Sequence, residues 1–305
     1  MKEVKKYAIL DTDFISKTHM IQNETAKHLV DFFMEHEEYE FFCHEKTVDE
    51  LSRYTIGDSD SWLAGKIADG SIHCFSDQDI ITELSSVYGN YAKSAYVNFL
   101  KVSCDAFEAG YFQDHFSSLL RMDDTVSNSA FITELQRCDA AIGEGKSLGE
   151  KKSLILIQLL KFLHPGKVEV FCSDDSNARK SIISIGEVSC ISVLSLFYEL
   201  MENEVAQIEA EPYFSQYETW CRSRGQNTFK VIENSREHRV KEHPPFRKGT
   251  HSIFPINRYT TVISCCIFPS TGIFSPTSMR STNATNISRS SSCACIYART
   301  VSIHN

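Results

Sequence analysis

Five short apolar runs punctuate the first two hundred residues, each bounded by polar or turn-forming residues. Runs of this length predict buried strands at residues 6–10, 39–43, 70–75, 168–172 and 188–193. The segments between them carry apolar positions at helical spacing. The predicted helices cover residues 24–38, 48–54, 130–142, 149–163, a stretch ending at 185, and 194–209, and the segment 79–121 is predicted to form several long helices.

Strands that alternate with helices require crossover connections, which produce a mostly parallel sheet covered by helices on both faces. The pattern therefore predicts an α/β protein with a three-layer α/β/α domain over residues 1–205 and a helical insertion at about 79–142. A polar helix at 213–224, after Pro212, belongs to a helical appendix over 206–242.

The segment 243–305 is rich in Ser and Thr, contains no acidic residue and follows neither period, which predicts a disordered tail. An extension that selection has not shaped, or a reading-frame artefact, is an alternative explanation of this composition.

Composition narrows the classes of function. The chain has 42% hydrophobic and 23% charged residues and a net charge of −9, which argues against broad electrostatic capture of nucleic acid but not against a cation-dependent enzyme. Eleven cysteines include no Cys-x-x-Cys pair, so no zinc ribbon is expected. The charged first residues lead directly into a strand, so we expect a cytoplasmic protein without a signal peptide or membrane span.

Acidic residues follow the predicted strands at several places. Asp11 comes directly after the first strand, Glu50 lies in the helix after the second, Glu150 opens an apolar helix, and Asp174 and Asp175 follow the fourth strand. The carboxyl ends of parallel strands share one edge of the sheet, so these distant acids are expected to meet there. Clustered carboxylates repel unless a cation neutralises them, and oxygen ligands favour Mg²⁺ or Mn²⁺.

Four segments carry a resemblance to a known family. They are Ala8–Ile15, Val48–Leu51, Leu148–Glu150 and Val170–Asp175, the last followed by Ala178-Arg179. In this order they resemble the motifs of the PIN-domain ribonucleases over roughly residues 5–195. The resemblance implies a three-layer α/β/α fold and hydrolysis of RNA by Mg²⁺ or Mn²⁺ held on acidic residues, giving 5′-phosphate and 3′-hydroxyl products.

The resemblance also assigns roles to individual residues. The catalytic and metal-holding positions are Asp11, Glu50, Glu150 and Asp175. Ser173 matches the hydroxyl residue two places before the last acid, which favours Asp175 over Asp174. Asp13 and Asp174 are expected to orient the ligands or waters. Small members of the family act as toxins, pair with antitoxins and often dimerise, so RNA, an antitoxin or other protein partner, and a second copy of the chain are the expected partners.

Helix capping offers a different explanation of the same acids. Thr47 to Glu50 and Ser147 to Glu150 both fit a capping box, and Asp13, Asp174 or Asp175 could cap a helix. On that interpretation the domain is a catalytically silent PIN-like module whose helical insertion binds a protein.

The opening motif also resembles that of the haloacid-dehalogenase phosphatases. In that interpretation Asp11 is the nucleophile and Asp13 the acid/base, with a metal motif at 172–175. However, Phe14-Ile15 stands where that family places a small pair, and the resemblance gives no role to Glu50 or Glu150.

Overall fold

A computed structural model describes residues 5–36, 39–53, 58–122, 125–143, 147–201, 204–223, 229–233 and 236–240. Its centre is a five-stranded sheet in which every neighbouring pair is parallel, in the order β3-β2-β1-β4-β5. The strands are β1 Lys6–Leu10, β2 Tyr39–His44, β3 Ile72–Phe75, β4 Val168–Cys172 and β5 Ser189–Ile191. The predicted α/β fold with a parallel central sheet is confirmed.

Helices flank this sheet. They are α1 Thr12–Met20, α2 Leu29–His36, α3 Glu45–Arg53, α4 Ser59–Ala68, α5 Asp77–Tyr88, α6 Ala92–Phe107, α7 Tyr111–Phe116, α8 Asn128–Ile142, α9 Leu148–Leu163, α10 Ser176–Gly186, α11 Val193–Met201 and α12 Glu204–Ser223. Helix α1 packs on α2, α4 and α11, whereas α9 packs on α5, α6 and α10. Two such groups are expected from the strand order, because crossovers of the usual hand that run in opposite directions along a sheet cover opposite faces.

Strand β1 lies at the middle of the sheet, and its sequence explains why. Ala8, Ile9 and Leu10 are all fully buried, as expected of a strand covered on both faces, whose apolar residues are consecutive rather than alternating. Strand β1 pairs with β2 on one side and with β4 on the other.

The order of the strands creates a switch point between β1 and β4. The chain moves from β1 through β2 to β3, then returns to place β4 on the other side of β1. In open α/β sheets, ligands bind in the crevice at the carboxyl ends of the strands where the direction reverses. Here the backbone N–H of Asp11 donates to the carbonyl of Cys172 at 3.0 Å, and that of Ser173 to the carbonyl of Ile191 at 2.9 Å. These bonds hold Asp11 and Ser173 at that crevice.

The helix predicted at 24–38 begins only at Leu29. The Asn23 side chain accepts hydrogen bonds from the backbone N–H groups of Thr25 and Lys27, both at 3.0 Å, which fixes a turn. Asn side chains compete with a helix in this way. Periodicity alone therefore placed the start of this helix too early.

The C-terminal helices differ from the prediction in where the chain breaks. We predicted an end before Pro212, but α12 runs through Pro212 from Glu204 to Ser223. Pro212 removes a backbone donor, which local sequence rules treat as a helix end. The apolar residues Tyr213, Phe214 and Tyr217 are buried in the core and hold this part of the helix in place.

The predicted helical appendix over 206–242 is helical only as far as Ser223 among the described residues. Two strands follow, β6 Phe229–Glu233 and β7 Arg236–Val240, and they pair antiparallel with Phe229 opposite Val240. The β-branched pair Val231-Ile232 favours a strand over a helix. The predicted disordered tail, 243–305, lies outside the described residues. Within the part of the chain that the structure describes, none of the helices combines the length and apolar character needed to cross a bilayer.

Candidate functional site

A cleft of about 1050 Å³ opens at the carboxyl edge of the sheet, over the ends of β1 and β2. Its walls include Asp11, Glu50, Glu150 and Asp175, the four acids expected to meet at this edge. We call it the acidic cleft. Two of these acids come from segments that directly follow strands β1 and β4, and the other two from helices α3 and α9.

Asp11 lies at the end of β1, directly before α1, and is buried. The Ser173 hydroxyl donates to Asp11 Oδ2 at 2.7 Å, so the residue expected to orient the site contacts Asp11 directly. Burial, followed by repulsion from Asp13, Glu150 and Glu50, raises the pKa of Asp11 well above its ordinary value, although the Ser173 hydrogen bond acts in the opposite direction. Burial and repulsion thus disfavour the charged form of Asp11, and a bound cation would offset the repulsion.

Two donors fix the Glu50 carboxylate. The Thr12 hydroxyl donates to Glu50 Oε2 at 2.7 Å, and the backbone N–H of Gly149 donates to Oε1 at 3.2 Å. A Cβ atom on Gly149 would lie 2.6 Å from Glu50 Oε2, so any larger residue at this position would push the Glu50 carboxylate away from its observed place. Because α3 begins at Glu45, the predicted capping box of Thr47 and Glu50 does not lie at a helix start.

Glu150 lies in the first turn of α9. Its pKa is raised to about 7, mainly by burial and further by repulsion from Glu50 and Asp175, against the opposing effect of a hydrogen bond to its own backbone. Ser147 is the N-cap residue of α9 but makes no side-chain cap hydrogen bond, and its φ of 51° is left-handed. The second predicted capping box is therefore absent too.

Capping does account for Asp175. It is the N-cap residue of α10, and its Oδ1 accepts from the backbone N–H groups of Asn177 at 2.6 Å and Ala178 at 2.9 Å. The same residue also lines the acidic cleft. One carboxylate can serve both purposes, because the cap uses only one of its two oxygens.

Asp13 and Asp174 form an ion-pair cluster with Lys17 beside the acidic cleft. Lys17 Nζ lies 2.5 Å from Asp174 Oδ2 and 3.4 Å from Asp13 Oδ2. Asp13 Oδ1 accepts from the backbone N–H of Asp174 at 2.9 Å, so Asp13 braces the β4 loop instead of capping α1. Burial acts to raise the pKa of Asp174, but Lys17 and Arg179 bring it below its ordinary value.

Lys17 was missed in the sequence analysis. The only available signal was its position four residues after Asp13 in a predicted helix, a spacing that suits an ion pair. Thr12 and Gly149 were missed as well, because each acts on Glu50 from a distant part of the chain. Local spacing carries no information about such contacts.

A second, buried network lies against the acidic cleft, whose walls include its members His44, Asp77 and Asp139. The Lys152 ammonium is fully buried and donates to Asp77 Oδ2 at 2.7 Å and to the Tyr96 hydroxyl at 3.2 Å, and it lies 3.1 Å from Asp139 Oδ2. The Tyr96 hydroxyl and His44 Nε2 both contact Asp77 Oδ1. This network joins α9 to α5, α6 and α8, and nothing in the apolar helical pattern around Lys152 predicted it.

The four acids lie too far apart to form a ready metal site. Over the described ranges, no group of three or more His, Cys, Asp or Glu residues is arranged closely enough to hold a metal ion. The carboxylates face one cleft without converging on one point. Their chemistry nevertheless fits Mg²⁺ or Mn²⁺, because all donors are oxygens and because burial, followed by mutual repulsion, raises the pKa values of Asp11 and Glu150.

Comparison with known proteins adds no assignment. No protein-family model, no curated protein and no solved structure gives a significant match to this chain. The fold and the acidic cleft therefore carry the functional argument.

Proposed function

We propose that this chain is a PIN-like ribonuclease that hydrolyses RNA phosphodiester bonds with Mg²⁺ or Mn²⁺. The observation that carries the proposal is the grouping of Asp11, Glu50, Glu150 and Asp175 around one cleft at the switch point of a parallel sheet. Two of the four, Asp11 and Glu150, have pKa values raised by burial and then by repulsion from neighbouring carboxylates, and groups perturbed in this way cluster at functional sites.

A divalent cation in this cleft would lower the pKa of a water molecule and stabilise the charge that develops on the phosphate. Mg²⁺ retains several waters when it binds, so it does not require three side chains in direct contact. Metal binding would displace protons from Asp11 and Glu150, since only the ionised forms act as ligands.

The chain's own residues supply positioning. Ser173 orients Asp11, and Thr12 together with the Gly149 N–H holds the Glu50 carboxylate toward the cleft. Lys17 pairs with Asp13 and Asp174 and so offsets part of the negative charge beside Asp11. Fixed carboxylates lose little freedom when the cation and substrate bind.

The alternatives receive less support. In the phosphatase interpretation Asp13 transfers a proton, but its two oxygens contact the Lys17 ammonium and the Asp174 N–H. In the silent-module interpretation the acids are caps, which the geometry supports only for Asp175. An antitoxin, another protein partner and a homodimer stay predictions.

Cleavage of end-labelled single-stranded RNA by the full chain tests the proposal, with Mg²⁺, Mn²⁺ or EDTA present. We expect cleavage with either metal, none in EDTA, and at least a hundredfold loss in Asp11→Asn. Asp105→Asn, the same change at an exposed position of α6, is the matched control and should retain full activity.

Gly149→Ala provides a second, independent arm. The added methyl group displaces the Glu50 carboxylate, whereas alanine suits a helical position better than glycine. We expect cleavage to fall at least tenfold without loss of thermal stability. Full activity in both Asp11→Asn and Gly149→Ala would refute the proposed function.

A further inference from the structure

A second pocket of about 360 Å³ adjoins the acidic cleft. Ser147, the N-cap residue of α9, lines both spaces. Lys151 and Lys180 also line this pocket, which we call the lysine pocket. Acidic and basic spaces thus lie side by side, with one residue between them.

Helix α9 and the start of helix α10 contribute to both spaces. Helix α9 contributes Glu150 to the acidic cleft and the next residue, Lys151, to the lysine pocket. Similarly, Asp175 precedes α10 and faces the acidic cleft, while Lys180 of α10 lines the pocket. A ligand that enters one space therefore passes directly beside the other.

Lys151 is held in place unusually firmly for a lysine. It is only 2% exposed, its ammonium donates to the carbonyl of Ser147 at 3.3 Å, and it lies 3.9 Å from the centre of the Tyr111 ring. A cation over an aromatic face is stabilised by the ring, and a side chain that is already fixed loses little entropy when a ligand binds.

The remaining lining indicates the class of ligand. Asn177 and Ser181 add polar side chains from α10, and Glu108 adds one negative charge against two lysines. The balance of one positive charge matches a phosphodiester, which carries one negative charge. Phe107 adds an apolar surface, which suits the sugar or base of a nucleotide better than a free inorganic anion.

We propose that the lysine pocket binds a phosphodiester group of an RNA strand next to the one that lies in the acidic cleft. This inference rests on the proposed function, because it takes the acidic cleft as the place of cleavage. It also gives the helical insertion a role, since the pocket includes Phe107, the last residue of α6, and Glu108, which follows it.

Binding of a fluorescein-labelled single-stranded RNA to the full chain tests this, measured by anisotropy in EDTA at several salt concentrations. We expect Lys180→Gln to weaken binding about threefold to tenfold and to lower the slope of log affinity against log salt by about 0.7, the value for one phosphate contact on a single strand. Lys101→Gln, at an exposed position of α6, is the control and should change neither.

Glu108→Gln should instead strengthen RNA binding by about twofold to threefold, because it removes the negative charge from the lysine pocket. Equal affinity and salt slope in Lys180→Gln and Lys101→Gln would overturn the proposal. Inorganic phosphate separates the two sources of this anion: if Lys180→Gln weakens binding of phosphate but not of RNA, the pocket takes a free anion and the proposal is wrong.

Cleavage is not needed for this measurement, so the two proposals fail separately. Loss of RNA affinity in Lys180→Gln without any nuclease activity of the chain would refute the enzyme and support the pocket. Normal cleavage by a protein whose RNA affinity does not depend on Lys180 would support the enzyme and refute the proposed role of the lysine pocket. Where cleavage is observed, Lys180→Gln should raise KM and leave kcat nearly unchanged, since binding alone is affected.

Discussion

Two carboxyl groups of the acidic cleft, Asp11 and Glu150, lie in poorly solvated places, where burial, followed by repulsion from neighbouring carboxylates, raises their pKa values. Glu150 shows this most clearly, because its pKa of about 7 lies within the range of ordinary solution conditions. A divalent cation bound in the cleft would offset the repulsion that disfavours the charge of Glu150. A proton and a metal ion therefore compete for this carboxylate.

This competition predicts how stability depends on pH. The pKa of Glu150 is about 7 in the folded protein, against an ordinary value of 4.5. Between these values the folded state binds more protons than the unfolded state, so the free energy of unfolding decreases as pH rises. Glu150→Gln has no carboxyl group at this position and so does not lose stability in this way. In EDTA at pH 8 we expect its free energy of unfolding to exceed that of the parent protein by about 1–3 kcal/mol, with a much smaller difference at pH 5.

Denaturant unfolding at the two pH values measures that difference. Glu83→Gln, at an exposed position of α5, is the control, and its free energy of unfolding should differ from that of the parent protein by the same small amount at both pH values. Adding Mn²⁺ at pH 8 should stabilise the parent protein more than Glu150→Gln, because the ligand binds the folded state. If Glu150→Gln and the parent protein differed in free energy of unfolding by the same amount at pH 5 and pH 8, the raised pKa of Glu150 would be contradicted.

At the scale of a single element, one residue at the start of helix α10 has two roles. Asp175 caps this helix through Oδ1 and lines the acidic cleft with the same carboxyl group. Asparagine is an equally good N-cap residue but carries no charge. Alanine can neither cap the helix nor supply a charge to the cleft. The two substitutions therefore separate the structural role from the proposed catalytic one.

We predict that Asp175→Asn retains stability and loses metal-dependent cleavage, while Asp175→Ala loses about 1 kcal/mol of stability as well. Thermal unfolding and RNA cleavage, measured on both variants, test this. Equal activity of the parent protein and Asp175→Asn would limit this residue to capping.

The same elements show what the sequence can and cannot predict. Strand β1 and strand β4 were predicted with their observed bounds, because a strand buried on both faces produces an unbroken apolar run. The grouping of acids around one cleft follows from the rule that parallel strands share a carboxyl edge. The start of α2 and the passage of α12 through Pro212 depend on a side-chain turn and on tertiary packing, which periodicity does not report.

On the scale of the whole molecule, the helical insertion has to be attached to the sheet. Lys152 of α9 makes this attachment through Asp77 at the start of α5, Tyr96 of α6 and Asp139 of α8. Its ammonium is fully buried, so each of these contacts takes place away from water. The charge of Asp77 is strongly stabilised there: burial alone would raise its pKa, but Lys152 and His44 bring it well below the ordinary value.

Removing one partner from such a network leaves buried charge without compensation. We predict that Lys152→Met destabilises the protein by about 3–5 kcal/mol, since Asp77 and Asp139 then face each other in a poorly solvated space. Lys161→Met is the matched control on the same helix, where the half-exposed lysine lies 3.5 Å from Glu187, and should cost about 1 kcal/mol or less. Denaturant unfolding measures both.

A double variant separates lost attraction from uncompensated charge. If the cost of Lys152→Met arises mainly from the isolated carboxylates, then adding Asp77→Asn should restore part of the lost stability, because it removes one of the two charges. If the lost hydrogen bonds dominate instead, Asp77→Asn should lower stability further. Recovery in the double variant, together with proteolytic protection of α6 and α8 equal to the parent protein, would identify charge balance as what joins the insertion to the sheet.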